Sequence, residues 1–462
     1  MSLESLSDQA QVLQTLLAFF DPELIPERLI VETKAQLAND RLNFLFDRVR
    51  FDNAITELTR ATLVTRVTSS KVLSVDRLTQ LSVFDGLSPK DRVFYFDTVV
   101  QILSYNFPNT WNDRGPHQGH GYEAWATCGA VLPHINWLIF LVKERRVKPA
   151  NSMYWAELIF RAGTYLWEKD QPTLAFPLFE FGLLIDIDKT SVVAAQAHRL
   201  MGHILLDLAR PRAALDAYKE ALAIRQHIEA PESPPIADVY DSIACSLIEI
   251  GDVGKATQYL AKAMSIHEAH DPRKRSRTEA IRAMAFLRAE QPREALEALR
   301  ACWKLQGLTQ EQIEASKYPK HSGDIVLLAR VCWMEEDKDR AQELMSRTID
   351  IRRALFEHGS PRVAGSIFQL AHMLQAREEY DLAAKLLREI IDISSESQDT
   401  KGYLARALWF LAGIEEKLDS PDSECVQLKE RARRERGLIV GRESSDDDTN
   451  ESFMALVSWI LW

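Results

Sequence analysis

Residues 199–221 read RLMGHILLDLARPRAALDAYKEA, and their spacing decides the fold. Gly202 is followed twelve positions on by Ala214, four further by Tyr218 and three after that by Ala221. Apolar residues recur at helical spacing on both sides of Arg210-Pro211. The stretch therefore predicts two helices and a tight turn, with proline in the first turn of the second helix, where its missing N–H breaks no bond. Two antiparallel helices approach closely only where both present small side chains, and a bulky residue one turn on is expected to fill the gap to the next pair.

The template recurs at Gly163/Ala175 with Phe179/Gly182, Ala244/Ala256 with Leu260/Ala263, and Ala283/Ala295 with Leu299/Cys302. It recurs again at Ala329/Ala341 with Met345/Thr348 and at Ala371/Ala383 with Leu387/Ile390. Successive first positions, from 163 to 371, advance by 39, 42, 39, 46 and 42 residues. A seventh unit, Leu404 to Ala432, keeps Leu411, Ala412 and Leu428 but has Glu424 where the alanine belongs, as suits a capping repeat. These residues resemble tetratricopeptide (TPR) repeats. The long period, with linkers such as IRRAL at 351–355 leading to GSPRVA at 359–364, resembles the kinesin-light-chain variety. The expected fold is mainly α: a TPR-like α-solenoid (right-handed superhelix) of about seven helix pairs over 149–432, behind a small winged-helix-like α+β domain at 1–90 and a helical spacer at 91–148. Residues 433–462 are expected to form a flexible acidic tail with an apolar terminus.

A chain of 462 residues is too long for one hydrophobic core, and its 18 glycines and 18 prolines are few enough to favour helices. The net charge of −11 argues against nucleic acid or an anionic membrane as the main ligand. Cys128, Cys245, Cys302, Cys332 and Cys425 stand singly, as reduced thiols do in a cytoplasmic or nuclear protein. The first residues carry Glu4 and Asp8 and no basic stretch, unlike a signal peptide. The most apolar run, near 131–143, is interrupted by Pro133, His134 and Asn136 and is expected to be too short to span a bilayer. A soluble cytoplasmic protein is expected.

In the N-terminal region, helices are predicted over Ala10–Phe20 and Phe51–Arg60. Alternation in Leu63–Val67 and Val72–Val75 about the turn Thr68–Lys71 predicts a two-stranded ribbon, and Asp76 is placed to cap a last helix. That order is a winged helix. The strings LLAFFDPELIP (16–26), ITELTRATLVTR (55–66), LSVDRLTQ (73–80) and WATCGAVLPHINWL (125–138) resemble the region after the ATPase module in fungal STAND proteins of the NB-ARC/TPR type, a resemblance that covers nearly the whole chain. It implies a winged helix, a spacer and partner-sensing repeats, the chain starting where the ATPase module ends. No G-x-x-x-x-G-K-[ST] occurs, so the phosphate cradle of an ATPase is missing. Where that family's winged helix often carries a histidine in SxHRLVQ, this sequence has Asp76, a carboxylate that repels phosphate. The helix from Asp76 to Val83 offers only Arg77, too little for a DNA major groove.

His117-x-x-His120 with Cys128 and His134 has the residue types of a zinc site, yet Trp125, Cys128 and Leu132-Pro133-His134 match the spacer's own pattern and read as packing; no metal is expected. No nucleophile elbow and no supported Cys–His pair occur, so neither enzymatic activity nor a cofactor is expected. Function is expected in the groove of the solenoid. There the first helix of each pair turns inward the residues three before and one after the small one. These are Arg199 and His203, Asp241 and Cys245, Ala280 and Met284, Val326 and Arg330, Phe368 and His372, and Trp409 and Gly413, with Trp333 one turn beyond Arg330. Such a lining suits an extended or helical peptide held by charge-assisted bonds and buried anchors. The same positions also suit core between repeats, Phe368 and Trp409 above all. The apolar end, Phe453 to Trp462, is expected to fold back onto the solenoid, since a free segment of this kind aggregates. The sequence thus predicts a non-catalytic scaffold for a protein or peptide partner. The alternatives are a regulatory fragment of a STAND-type NTPase acting in trans and an accessory factor in fungal metabolism.

Overall fold

The computed structural model describes residues 6–33, 39–109, 121–145, 147–318, 321–395, 397–418, 421–441 and 448–461. Two compact units divide the chain, Met1–Glu168 with Leu178–Ile187, and Lys169–Pro177 with Asp188–Trp462.

In unit 1, α1 (Asp8–Leu17) starts at Ser7, whose hydroxyl accepts the Ala10 N–H, and α3 (Arg48–Arg60) starts at Asp47, which accepts from Val49 and Arg50. Between them lie β1 (Ile25–Pro26), α2 (Glu27–Val31) and a 3-10 turn, Asp40–Phe46. The alternating stretch forms β2 (Val64–Val67) and β3 (Val72–Val75), antiparallel with Val64 opposite Val75. The expected ribbon is in fact the major part of a three-stranded sheet, order β1-β3-β2, because Ile25 pairs with Leu73 on the far side of β3. Arg66 ties the sheet to its helices, donating to Glu27 at 2.6 Å and to Asp52 at 2.7 Å. Asp76 caps α4 (Arg77–Gly86) by accepting the Thr79 N–H at 2.9 Å.

Helices α5 (Pro89–Asn106) and α6 (Trp125–Arg145) follow. The expected break in the apolar run does not occur: α6 passes through Pro133, and the helical span Tyr122–Arg145, 24 residues, is long and apolar enough to cross a membrane by length and composition. Proline removes only the bond to the Gly129 carbonyl, and packing holds the rest. Half of the apolar window is buried, with Val131, Ile135, Leu138 and Leu141 in the core of the unit. His134 is buried too, its Nδ1 accepting the Asp21 N–H at 3.1 Å, and burial pushes its pKa down to about 4. His117 and His120 lie outside the described residues; among the described residues no three metal-ligating side chains converge. Helices α7 (Ser152–Glu168) and α8 (Pro172–Leu184) form the first template pair, in which a Cβ on Gly163 would come within 2.6 Å of the Phe179 ring.

Unit 2 is a TPR-like α-solenoid. Its pairs are α9 (Val192–Asp207) with α10 (Pro211–Ile228), α11 (Pro234–Ile250) with α12 (Val253–His270), and α13 (Arg275–Arg288) with α14 (Pro292–Leu305). They continue with α16 (Ser322–Met334) and α17 (Lys338–Leu355), α18 (Pro361–Ala376) and α19 (Tyr380–Ser394), and α20 (Lys401–Glu415) and α21 (Asp422–Val440). The short α15 (Gln310–Ala315) occupies the longest linker and accounts for the 46-residue step.

The small residue is a socket. A Cβ on Gly202 would lie 2.3 Å from the Tyr218 ring, so the bulky residue fills its own pair rather than the gap to the next, correcting the expectation. Size follows from that contact. Glycine faces an aromatic ring at Gly163/Phe179 and Gly202/Tyr218, and alanine stands sixteen residues before an aliphatic side chain at Ala244/Leu260, Ala283/Leu299, Ala329/Met345 and Ala371/Leu387. All twelve of these side-chain positions are buried.

The turn inside each pair is equally regular. One left-handed residue lies seven positions after the small one: Asp170 (φ 63°), Ala209 (55°), Gly251 (94°), Glu290 (58°), Glu336 (65°) and Glu378 (63°). The following N–H reaches back five residues, from Arg210 to Leu205 at 2.8 Å, Asp252 to Leu247 at 2.8 Å, Gln291 to Phe286 at 2.9 Å, Asp337 to Cys332 at 2.9 Å and Glu379 to Leu374 at 3.0 Å. These are Schellman caps, which satisfy carbonyls that a helix end leaves open.

Candidate functional site

The first helices α9, α11, α13, α16, α18 and α20 carry the residues that sequence spacing aimed inward. Nearest the start of unit 2, Arg199 Nη1 lies 3.4 Å from His203 Nε2, and His203 Nδ1 lies 2.7 Å from the Tyr218 hydroxyl. An arginine only donates, so Nε2 is the acceptor and the proton sits on Nδ1. Burial, then the charges of Arg199 and Arg277, hold His203 well below the usual imidazole range. Burial and then Arg277 bring Arg199 down to about 10.

Asp241 is not a surface contact: it is fully buried, accepting Thr278 Oγ1 at 3.0 Å between α11 and α13. Met284 is half-buried against the apolar cluster of α13 to α17. Phe368 is buried as well, with the Arg406 guanidinium 3.7 Å from its ring centroid and Phe410 edge-on at 5.3 Å. It belongs to the core between α18 and α20, the second of the two roles its position allowed.

Arg330, Trp333, Phe368 and His372 converge on one cavity of about 470 Å³, completed by Met454 and Trp459 from the far end of the chain. Segment 448–461 thus lies along these inner helices. Its anchors are specific. Asp448 pairs with Arg433 and Arg436. Thr449 caps α22 (Asn450–Met454), and Asn450 Oδ1 accepts the Trp409 indole N–H at 2.9 Å. Phe453 is fully buried, stacked on Trp409 with ring centroids 4.4 Å apart and planes 8° from parallel. Leu456 passes Gly402 so closely that a Cβ there would fall 2.5 Å from its carbonyl oxygen.

The segment ends in a 3-10 turn, Trp459–Leu461, whose donors converge on one carboxylate. Glu249 accepts Ser458 Oγ at 3.0 Å, Trp459 N at 2.8 Å and Ile460 N at 3.0 Å. The Trp459 ring lies 4.7 Å from the Arg330 guanidinium and 5.1 Å from that of Arg288, and Arg330 Nη2 donates to its carbonyl at 3.1 Å. Burial, then repulsion from Arg352, lowers Arg330 to about 9.

Sequence reasoning missed Glu249, Arg288 and Gly402. Glu249 and Arg288 lie five residues after Ala244 and Ala283, one helical turn beyond the inward positions at plus one. Extending the minus-three, plus-one rule by four residues finds both. Nothing local marks Gly402, whose constraint comes from a strand of chain more than fifty residues away.

A tetratricopeptide repeat model matches residues 193–269, the stretch from α9 to α12, and a domain of unknown function, DUF7779, matches residues 1–92. No curated protein matches the chain. Among solved structures, a Rap protein complexed with competence and sporulation factor is similar at 13% identity and a TM-score of 0.48, over 80% of this chain and 96% of that one. A STAND protein with a TPR sensor from Pyrococcus horikoshii is similar at 14% identity and a TM-score of 0.41, over 97% of this chain and 66% of that one. MamA from Desulfovibrio magneticus RS-1 is similar at 16% identity and a TM-score of 0.28, over 44% of this chain and 97% of that one.

Proposed function

We propose that the chain is a non-catalytic protein–protein interaction scaffold that binds a peptide or protein partner along the inner helices of unit 2. The TPR-like fold supports the class. One observation carries the mode: the inner helices already hold a peptide segment, 448–461, through side chains that no packing template requires, Glu249, Arg288 and Arg330. Holding a segment by charge-assisted bonds and two aromatic anchors is how a groove selects a ligand. Trp333 lines the same cavity, and Arg199 and His203 stand at the corresponding positions of α9. The net charge of −11 supports a protein rather than a nucleic acid or anionic membrane, and the five unpaired cysteines support a cytoplasmic setting. The succession α3, β2, β3 and α4 supports a winged-helix-like reading of residues 1–90.

The test compares partner capture by the wild type with capture by a chain in which Arg199, Arg330 and Trp333 are all alanine, and by one in which the outer-helix residues Lys219, Lys262 and Arg300 are alanine. Loss in the first and retention in the second is expected. Equal capture by both would end the reading.

A further inference from the structure

We propose that Glu249, Arg288 and Arg330 form a recognition slot for a seryl-tryptophan turn on a partner peptide, and that segment 448–461 fills this slot in cis until such a peptide displaces it. The inference rests on the scaffold reading and names its ligand.

The slot reads three features at once. The first turn of a short helix has N–H groups without internal acceptors, and a single carboxylate meets them best when the residue before the turn adds a hydroxyl. Glu249 receives that set, two consecutive N–H groups and the Ser458 hydroxyl. Next to it, two guanidiniums approach one indole, an arrangement that rewards an aromatic side chain and tryptophan most. Arg330 also donates to the tryptophan carbonyl, which fixes the chain direction. Six residues before the tryptophan, Trp409 offers a flat face that Phe453 covers. The ligand chemistry is therefore Phe-x-x-x-x-Ser-Trp, a short helical turn, a bent link and a second turn.

Two observations make the cis segment an occupant rather than a structural brace. Trp459, Ile460 and Met454 remain partly exposed, and a 470 Å³ cavity lined by Trp333 and His372 adjoins Met454 and Trp459. Moreover, Glu249 and Arg288 lie outside the small-residue template, whose twelve positions close the pairs without them. Apolar cover seats Phe453 and Val457, whereas the Trp459 end is held by polar recognition of its backbone.

The experiment uses full-length protein and a fluorescein-labelled peptide, TNESFMALVSWIL, the sequence of residues 449–461, followed by anisotropy. Wild type is expected to bind it weakly, because a tethered segment competes at high effective concentration. The Phe453→Ala/Trp459→Ala chain should bind roughly tenfold or more tightly, and adding Glu249→Gln should take back at least roughly tenfold. A peptide with alanine for its tryptophan should not bind. Helix content by circular dichroism must match the wild type; if the double variant loses helix, Trp459→Ala alone takes its place. No gain on loosening the segment, or binding indifferent to Glu249→Gln, would overturn the proposal. So would a wild type that forms dimers dissociated by the peptide, since the slot would then serve a second copy. Partner capture that survives Glu249→Gln yet fails in the Arg199/Arg330/Trp333 variant would remove this ligand and leave the scaffold reading in place.

Discussion

Glu249 accepts the backbone N–H of Trp459 at 2.8 Å across 210 positions of sequence. One carboxylate therefore fixes the last turn of the segment, while Asp448, Asn450 and Phe453 anchor its start.

Gly402→Ala tests the seat of that segment. The new Cβ would meet the Leu456 carbonyl oxygen at 2.5 Å, and a backbone atom cannot rotate away. The segment should lift while α9 to α19 stay folded. Hydrogen exchange followed by mass spectrometry should show faster exchange over 448–461 and no change in the inner helices.

Gly202→Ala tests the socket. A methyl group within 2.3 Å of the Tyr218 ring forces the pair apart, at a cost of about 1–3 kcal/mol in denaturant unfolding. Adding Tyr218→Leu should recover most of the loss, because Ala244/Leu260 shows that combination at the same spacing. The remainder should be about 1 kcal/mol, from the lost hydrogen bond to His203.

The left-handed turns give a pair of opposite effects. At Glu290, φ is 58°, where a side chain costs about 1–2 kcal/mol and glycine costs nothing sterically. Glycine's larger unfolded-state freedom offsets about 0.5–1 kcal/mol of that, so Glu290→Gly should stabilise by up to about 1.5 kcal/mol. Gly251→Ala, at φ 94°, should destabilise by a similar amount or more. Thermal melts of the two variants should move in opposite directions.

His134 makes unit 1 sensitive to acid. Burial lowers its pKa from 6.5 to about 4, so the folded state holds the neutral ring. The unfolded chain takes up the proton first as pH falls. Stability is therefore full above pH 6.5 and is lost progressively down to about 4, by about 3 kcal/mol in all. His134→Asn keeps an acceptor for the Asp21 N–H and should flatten this slope in unfolding curves taken from pH 7 to 4.

The solenoid was legible because its constraint is local and periodic. Gly202 and Tyr218 meet through a single turn, so their sizes are written sixteen residues apart and repeated. β1 was not legible, since two residues carry no alternation and Ile25 finds Leu73 only through folding. Pro133 misled for the opposite reason: a local breaker is overridden by packing along α6. Spacing singled out Arg330, Trp333, Phe368 and His372, which line one cavity, but spacing alone could not tell that Thr278 takes Asp241 inside or that Arg406 covers Phe368. Glu249 and Arg288 became visible only with the segment that they hold.

The regular placement of the left-handed residues has a consequence for how such a chain is built and rebuilt. Within a hairpin the intervals from small residue to turn to alanine are invariant, while all the length variation, from 39 to 46 residues, falls between hairpins. Each hairpin is thus a cassette with fixed internal wiring and a tolerant splice point. Grafts, duplications or inserted tags belong at the joints, such as the stretch that holds α15, and a single residue added between Ala329 and Ala341 would scramble its cassette.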